Sequence, residues 1–229
     1  MRAGPRRRSV LTKNTRRSLA NDLTDRLRDD ILTGRKTPGD YLRLQNIADE
    51  FEVSLSPIRE SLSVLAYEGL VSPVGQRGYK VAPLLREDLV DATKARVALE
   101  TLCLRASIEQ GDDDWESEIV ASFWKLNKLE TSTWTDETLA EWEKHHHRFH
   151  ESLIGGCGSP MLIEFCGIAR RVTDRFRRIC VRENDPDRNV WNEHETIFRL
   201  TIARRADEAV AALATHVSRT SERILATSF

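Results

Sequence analysis

The spacing of apolar residues changes at Pro83, and this change divides the chain into two parts of different architecture. Before Pro83, short apolar segments are separated by turn residues such as the sequence Pro38–Asp40. After it, apolar residues recur at helical spacing over long stretches, without the alternation that is typical of strands. We therefore predict a mainly α protein with a flexible basic arm at 1–17 and two domains, at 18–84 and 85–229.

The first part contains a helix, two further short helices and a hairpin within about 65 residues. The apolar stripe of the first helix comprises Leu19, Leu23, Leu27 and Ile31. The other predicted elements are helices at 44–51 (LQNIADEF) and 56–70 (SPIRESLSVLAYEGL) and strands at 71–74 and 79–82. This order is typical of a winged helix-turn-helix, in which the second helix of the pair enters the DNA major groove by its N-terminal end.

Charge is distributed unevenly between the two parts. Residues 1–82 carry 15 Lys and Arg against 10 Asp and Glu, whereas residues 83–229 carry 20 against 26. Because basic side chains that neutralise phosphates supply most non-specific DNA affinity, the basic first part is consistent with binding of double-stranded operator DNA. Charged surfaces are also common without a partner, so the order of the elements remains the stronger signal.

The N-terminal end of the second short helix is the predicted DNA-reading end. Pro57 suits the first helical turn, and the hydroxyl of Ser54 or Ser56 can cap the helix or contact a phosphate. Arg59 then projects toward DNA as a base or phosphate contact. The alternative for Arg59 is a surface ion pair with Glu60 or Asp49.

The run PGDYLRLQNIADEFEVSLSPIRESLSVLAYEGLVSPVGQRGYKV resembles the GntR-type winged helix-turn-helix, over residues 18–83. The resemblance implies that the recognition helix and the wing tip contact the operator. The residues it assigns to this contact are Ser54, Ser56, Arg59, Arg77 and Gly78, with Arg43 and Gln45 in support. Many members have arginine where this chain has Leu55, which implies that Arg59 and the wing carry more of the contact here.

The second part is predicted to be an all-α antiparallel bundle, because short loops make successive helices neighbours. The predicted helices are 86–108, 115–130, 136–154, 160–182, 187–203 and 206–226. The four cysteines lack CxxC pairing, so we expect reduced and mostly buried thiols at Cys103, Cys157, Cys166 and Cys180. No apolar run is long enough to span a membrane and the N-terminus has no signal-peptide core, so we expect a cytoplasmic protein.

All six histidines lie in the second part, and four of them fall on apolar helical faces. His146 and His150 are four residues apart and share a face, while His194 and His216 lie on two other predicted helices. A lone histidine on such a face is more often a hydrogen-bonded core residue, but four that converge predict a divalent metal site, for Zn²⁺ or Ni²⁺. A solvated patch remains the alternative for the neighbouring His145 and His147.

The second part resembles the FCD domain that follows the DNA-binding domain in the FadR-type branch of GntR regulators, over residues 85–226. The segments that carry the resemblance are ARVALE at 95–100, HRFHESLIGGCGSP at 147–160, EH at 193–194 and His216. Many FCD domains bind a metal through an aspartate four residues before the FH histidine and three histidines. Here His146 takes the position of the aspartate, which implies a neutral site that favours an anionic effector. The sequence of these segments is most similar to that of FCD members that respond to small dicarboxylates.

Arg96 shares a helical stripe with apolar residues, and a buried cation requires an anion. The anion is either the carboxylate of Glu100, one turn along, or a small carboxylate effector, which the FCD resemblance favours. Arg175 is a second candidate for effector binding.

Together these observations predict a homodimeric transcription regulator that represses a metabolic operon. Binding of a metal and a small carboxylate to its second domain would control the arrangement of the two DNA-binding domains. Two alternatives remain open. One is a metal-dependent enzyme, although the sequence lacks an HExxH-type general base. The other is a metal-free sensor of an acyl thioester, which would tolerate loss of the histidines.

Overall fold

The computed structural model describes residues 13–75, 78–130, 136–180 and 190–226, and it divides into two compact units between Leu84 and Leu85. Each unit has its own apolar core. The mainly α fold is confirmed. None of the helices in the described part of the chain is both long and apolar enough to cross a membrane.

The N-terminal unit consists of three helices and a three-stranded antiparallel sheet. Its elements are α1 (Lys13–Leu32), β1 (Tyr41–Arg43), α2 (Leu44–Phe51), α3 (Leu55–Tyr67), β2 (Val71–Val74) and β3 (Gly78–Val81). In the sheet β3 lies between β1 and β2, with Leu42 opposite Tyr79 and Ser72 opposite Lys80. Buried leucines and isoleucines of α1, α2 and α3, among them Leu27, Ile58 and Leu62, form the core beneath the sheet.

Three details of the N-terminal unit differ from the sequence prediction. The helix α1 begins at Lys13, inside the stretch predicted to be a flexible arm, because a helix anchored by a buried stripe can propagate into flanking residues. Leu19 is exposed, and Ala20 instead continues the stripe toward the N-terminus. The strand β1 was not predicted, because three residues with one buried side chain carry too little periodicity.

The second unit is a bundle of long helices, called the helical unit below. Its elements are α4 (Arg86–Gln110), α5 (Asp113–Glu130), α6 (Asp136–Ile154), α7 (Pro160–Cys180), α8 (Val190–Ile202) and α9 (Ala206–Ala226). The helix α4 packs against α6, α7 and α9, and α5 packs against α6 and α8. The cysteines Cys103, Cys157 and Cys166 are buried and free; the side chain of Cys180 lies outside the described part.

Candidate metal centre and nucleic-acid interface

Four buried imidazoles meet in the core of the helical unit. The helix α6 provides His146 and His150, α8 provides His194 and α9 provides His216. Each ring offers one nitrogen such that all four nitrogens lie within 4.8 Å of one another. The helix α6 and the consecutive helices α8 and α9 therefore direct their histidines at one point.

Several ring nitrogens of this cluster have no hydrogen-bond partner among the described residues. They are both nitrogens of His150, Nδ1 of His146 and Nε2 of His194, and all are shielded from solvent. Burial, followed by the positive charge of Arg177, holds the pKa of His146 well below its usual range. Burial, followed by the neighbouring His216, does the same to the pKa of His150. Neutral imidazoles with free lone pairs are the form that binds a divalent metal, so these residues fit such an ion.

Two carboxylates form hydrogen bonds with histidines of the cluster, and neither was predicted from the sequence to take part in the site. Glu130 lies 2.7 Å from Nδ1 of His194, and Glu193 lies 2.8 Å from Nδ1 of His216. Carboxylates that accept from Nδ1–H fix the tautomer in which Nε2 carries the lone pair, which is how metal-binding histidines are commonly oriented. Glu193 is adjacent to His194 in sequence, yet it orients the histidine of another helix.

Arg96 is buried, and its anion within the chain is Glu100. Its Nε donates to Glu100 at 2.8 Å and its Nη1 donates to Thr173 Oγ1 at 2.8 Å. Arg170 also donates to Glu100, so one carboxylate joins two guanidinium groups. Burial alone would raise the pKa of Glu100, but Arg170 and Arg96 hold it below its usual value. The ion pair considered as the alternative for Arg96 is therefore present.

Arg96 and Arg175 lie in different surroundings. The charge of Arg96 contributes to lowering the pKa of His150, which places this cation beside the imidazole cluster. Burial lowers the pKa of Arg175 to about 10, and the charge that opposes this effect is Asp88, near the start of α4. The charge of Arg96 thus acts on the histidine cluster, whereas the charge of Arg175 interacts with Asp88 in the first turn of α4.

The histidines at 145 and 147 lie outside the cluster. His145 is within 3.5 Å of Glu141, and His147 is within 3.2 Å of Glu151 and 3.7 Å of Asp174. The hydrogen bonds to Asp174 and then Glu151 raise the pKa of His147 to about 9. The HHH run therefore divides into one inward imidazole and two that pair with carboxylates nearer the surface.

In the N-terminal unit, Arg59 lies in a surface groove between α3 and the sheet. The groove is lined by Leu44, Arg59, Pro73, Gly75, Gly78 and Tyr79. Within the described residues Arg59 forms no ion pair with Glu60 or Asp49, and Asp49 instead accepts a hydrogen bond from Gln45 at 3.0 Å. The guanidinium of Arg59 is exposed at the end of the molecule that the helix-turn-helix order assigns to DNA.

Of the other predicted DNA-binding residues, Gly78 lines the same groove. Ser54 is the N-cap residue of α3, but its hydroxyl makes no capping hydrogen bond, and Ser56 in the first turn is exposed. Arg43 stands opposite Gly78 in the β1–β3 pairing. A Cβ atom at Gly78 would lie only 2.9 Å from the carbonyl oxygen of Leu42, so this close pairing requires glycine. Arg77 lies outside the described residues.

Comparisons with known protein families agree with the division of the chain into an N-terminal unit and a helical unit. Residues 19–81 match the family of bacterial regulatory proteins, gntR family, and residues 91–219 match the FCD domain. The match to the FCD domain covers more than half of the chain.

Individual relatives are transcription regulators. An uncharacterized HTH-type transcriptional regulator BphR of Paraburkholderia xenovorans (strain LB400) is 36% identical over 88% of this chain and 83% of its own. The HTH-type transcriptional repressor GlaR of Escherichia coli (strain K12) is 30% identical over 83% of this chain and 89% of its own.

Solved structures show the same fold. Escherichia coli McbR/YncC aligns with a TM-score of 0.68 and 16% identity over 90% of this chain and 97% of its own. A putative transcriptional regulator GntR from Rhodococcus sp. RHA1 aligns with a TM-score of 0.69 and 19% identity over 93% and 100%.

Proposed function

The chain belongs to the GntR family of bacterial regulatory proteins and carries an FCD domain, and we propose that it is a repressor of a metabolic operon controlled by a small carboxylate. As a member of this family it is a DNA-binding transcription regulator rather than an enzyme. The regulated operon, the effector and the metal are the proposed parts.

The observation that carries the proposal is the cluster of four buried imidazoles within 4.8 Å of one another. His146, His150, His194 and His216 would hold one divalent metal, and imidazole ligands favour Zn²⁺ or Ni²⁺ over hard ions such as Mg²⁺. When bound, the metal would supply a positive centre for an oxygen of an anionic effector. Glu130 and Glu193 would keep two of the rings in the tautomer that binds metal.

The charges around the imidazoles favour a small anion. Arg96, Arg170 and Arg177 each contribute to lowering the pKa of His146 or His150, two histidines of the cluster. We assign Arg96 as the principal effector-binding cation and Arg175 as a second one. An effector carboxylate would join or replace Glu100 at Arg96. Because the interior here is lined by charged side chains, it suits a small di- or monocarboxylate better than a long acyl thioester.

A metal-dependent enzyme is the less favoured function for this site. A hydrolytic metal site needs a general base that is free to accept a proton from water. Glu130 and Glu193 each accept a hydrogen bond from a ring nitrogen, of His194 and His216 respectively, and so orient the rings. This arrangement suits a sensor that returns its ligand unchanged.

For the N-terminal unit we propose that Arg59 and Gly78 of the groove contact the operator together with neighbouring residues of the helix-turn-helix and the wing. The proposed set is Arg43, Gln45, Ser54, Ser56, Arg59, Arg77 and Gly78. Reading of paired half-sites requires two such units, so we propose that the protein acts as a homodimer in the cytoplasm.

A thermal-shift screen of small carboxylates, with and without Zn²⁺ or Ni²⁺, tests metal, ligand class and their coupling together. For untagged protein, a matching acid at about 100 times its Kd should raise the melting temperature by roughly 5–10 °C, and only in the presence of metal. His150→Ala should abolish both responses, whereas His145→Ala, outside the cluster, should keep them. Metal-independent stabilisation by an acyl thioester would refute the proposal in favour of the alternative sensor.

A further inference from the structure

Trp142 lies on α6 one turn before His146, and the rings of the two residues are stacked. Their centres are 4.5 Å apart and their planes are inclined by 22°. A spacing of four residues places two side chains on the same face of a helix, so α6 itself brings the indole onto this imidazole. Trp142 is buried in the core of the helical unit. The indole therefore restricts the tilt of the His146 ring, because a tilted ring would lose the stacking contact.

The nitrogen of the same indole contacts one of the carboxylates beside the cluster. Nε1–H of Trp142 donates to Oε1 of Glu130 at 3.2 Å, and this oxygen also lies 2.7 Å from Nδ1 of His194. Glu130 is the last residue of α5, and both of its partners lie on other helices. An indole N–H can only donate, so it orients the oxygen as an acceptor and favours a proton on Nδ1 of His194. Trp142 thus acts on His194 through Glu130.

Arg177 of α7 contacts the indole as well. Its guanidinium carbon lies 5.1 Å from the centre of the Trp142 ring, within the range of a cation–π contact. The guanidinium donates to both carboxylate oxygens of Glu143 and to Asp174 at 3.3 Å, so ion pairs fix its own position. Contacts from α5, α6 and α7 together therefore determine where the indole lies.

The imidazoles of the cluster differ in what orients them. His194 and His216 each contact a carboxylate through Nδ1, whereas Nδ1 of His146 has no hydrogen-bond partner within the described part of the chain. Among the ring contacts that the structure describes for His146, the one with Trp142 is the closest to parallel, at 22° against 47° or more for the other histidines. A ligand ring that lacks a hydrogen bond needs packing to keep its orientation. For His146 the stacked indole supplies this packing.

We propose that Trp142 is a positioning residue of the histidine cluster, which orients His146 by stacking and His194 through Glu130. The inference rests on the proposed function in one respect, namely that the four histidines bind a divalent metal. Residues that orient metal ligands raise the affinity, because a ligand that is already in place loses less freedom on binding. Since one indole acts on two of the four ligands, its removal should weaken metal binding although every ligand is still present.

Trp115 of α5 provides a matched control in the same unit. It is buried to the same extent as Trp142, at 8% against 7% exposed. Its Nε1–H donates to the carbonyl oxygen of Ser152 at 2.8 Å, and the guanidinium carbon of Arg204 lies 4.9 Å from the centre of its ring. The two tryptophans therefore share their burial, an N–H hydrogen bond and a cation–π contact, but these partners of Trp115 lie outside the histidine cluster.

The first experiment measures the Zn²⁺ affinity of the full chain by competition with a chromophoric chelator. Trp142→Phe keeps an aromatic ring beside His146 but loses the N–H donor, so the affinity should fall roughly 10-fold. Trp142→Leu loses both contacts, and its affinity should fall roughly 100-fold. Trp115→Phe and Trp115→Leu should bind Zn²⁺ as wild type does. Equal losses at the two positions would attribute the effect to packing in general and overturn the proposal, as would wild-type affinity in Trp142→Leu. If Trp142→Leu does not fold, the comparison of the two phenylalanine variants decides.

A second measurement does not depend on the metal. In metal-free protein labelled with ¹⁵N-histidine, nuclear magnetic resonance distinguishes the two tautomers of each imidazole. His194 should have its proton on Nδ1 in wild type and in Trp115→Phe, but become a mixture of tautomers in Trp142→Phe, because Glu130 has lost the donor that orients it. A pure Nδ1–H tautomer in Trp142→Phe would overturn the proposal even if the wild-type protein binds Zn²⁺. A wild-type protein that shows this tautomer change but binds no Zn²⁺ would retain Trp142 as the positioning residue and refute the proposed metal site.

Discussion

Among the described residues, the interior of the N-terminal unit contains two buried polar side chains, Thr24 and Ser61, and both hydroxyls are hydrogen-bonded to backbone carbonyls. The interior of the helical unit contains four histidines together with buried arginines and carboxylates such as Arg96, Glu100 and Arg170. Burying such groups costs free energy that an apolar core would avoid. The comparison indicates that the proposed DNA contacts belong to the surface of the N-terminal unit, whereas the proposed metal site belongs to the core of the helical unit.

The largest expected effect is that of removing one buried charge from the helical unit. Glu100→Gln leaves Arg96 and Arg170 without their shared carboxylate, so the free energy of unfolding should fall by ~3–5 kcal/mol. Chemical denaturation measures it, with the exposed Glu60→Gln of the N-terminal unit as the control, expected within about 0.5 kcal/mol of wild type. Equal effects of the two substitutions would remove the contrast between the units.

The next effect concerns the carboxylates behind the imidazoles. Glu193→Gln keeps an oxygen near Nδ1 of His216 but removes the charge, so the affinity for Zn²⁺ should fall by ~10–100-fold. Isothermal titration with Zn²⁺ measures the change. Glu195→Gln, which affects only a surface pair with Arg199, should bind Zn²⁺ as wild type does. An unchanged affinity in Glu193→Gln would show that the carboxylate has no part in metal binding.

A surface substitution in the N-terminal unit should change DNA binding and leave stability alone. Arg59→Ala should weaken binding to a DNA fragment selected by the wild-type protein by ~1–3 kcal/mol and lower the salt dependence by about one phosphate contact. Fluorescence anisotropy at several salt concentrations measures both quantities. The control Arg35→Ala, in an exposed ion pair after α1, should bind as wild type. Binding by Arg59→Ala with wild-type affinity and salt slope would contradict the assigned face.

The smallest expected effects on stability and DNA binding distinguish two serines, one at the N-cap of α3 and one within the helix. Ser54 is an N-cap residue whose hydroxyl makes no cap bond, so Ser54→Ala should change stability by less than about 0.5 kcal/mol, against ~1 kcal/mol for a working cap. Ser61 lies 2.9 Å from the carbonyl oxygens of Ala20 and Pro57, and Ser61→Ala should cost ~1 kcal/mol. Operator binding should respond in the opposite order, weakening only in Ser54→Ala. The reverse pattern in thermal melts and anisotropy would place Ser54 among the structural residues.

The sequence predicts the parts of the fold and of the site that depend on local periodicity. His146 and His150 are recognisable because a spacing of four residues places them on one helical face. Glu130 is not recognisable, because its partner His194 is 64 residues away and only the packing of α5 against α8 joins them. Periodicity places Arg96 in the core one turn from Glu100, but the further contacts of this pair with Thr173 and Arg170 of α7 are not visible in the sequence. Contacts between helices thus decide what the pattern of one helix leaves open.

Metal content is the most direct test of the central claim that the helical unit holds a divalent ion in its core. Untagged protein, purified without chelators and analysed by inductively coupled plasma mass spectrometry, should contain about one equivalent of Zn²⁺ or Ni²⁺ per chain. His150→Ala, treated identically, should contain almost none. A content below about a tenth of an equivalent in the wild-type protein, unchanged after incubation with either metal, would contradict the claim.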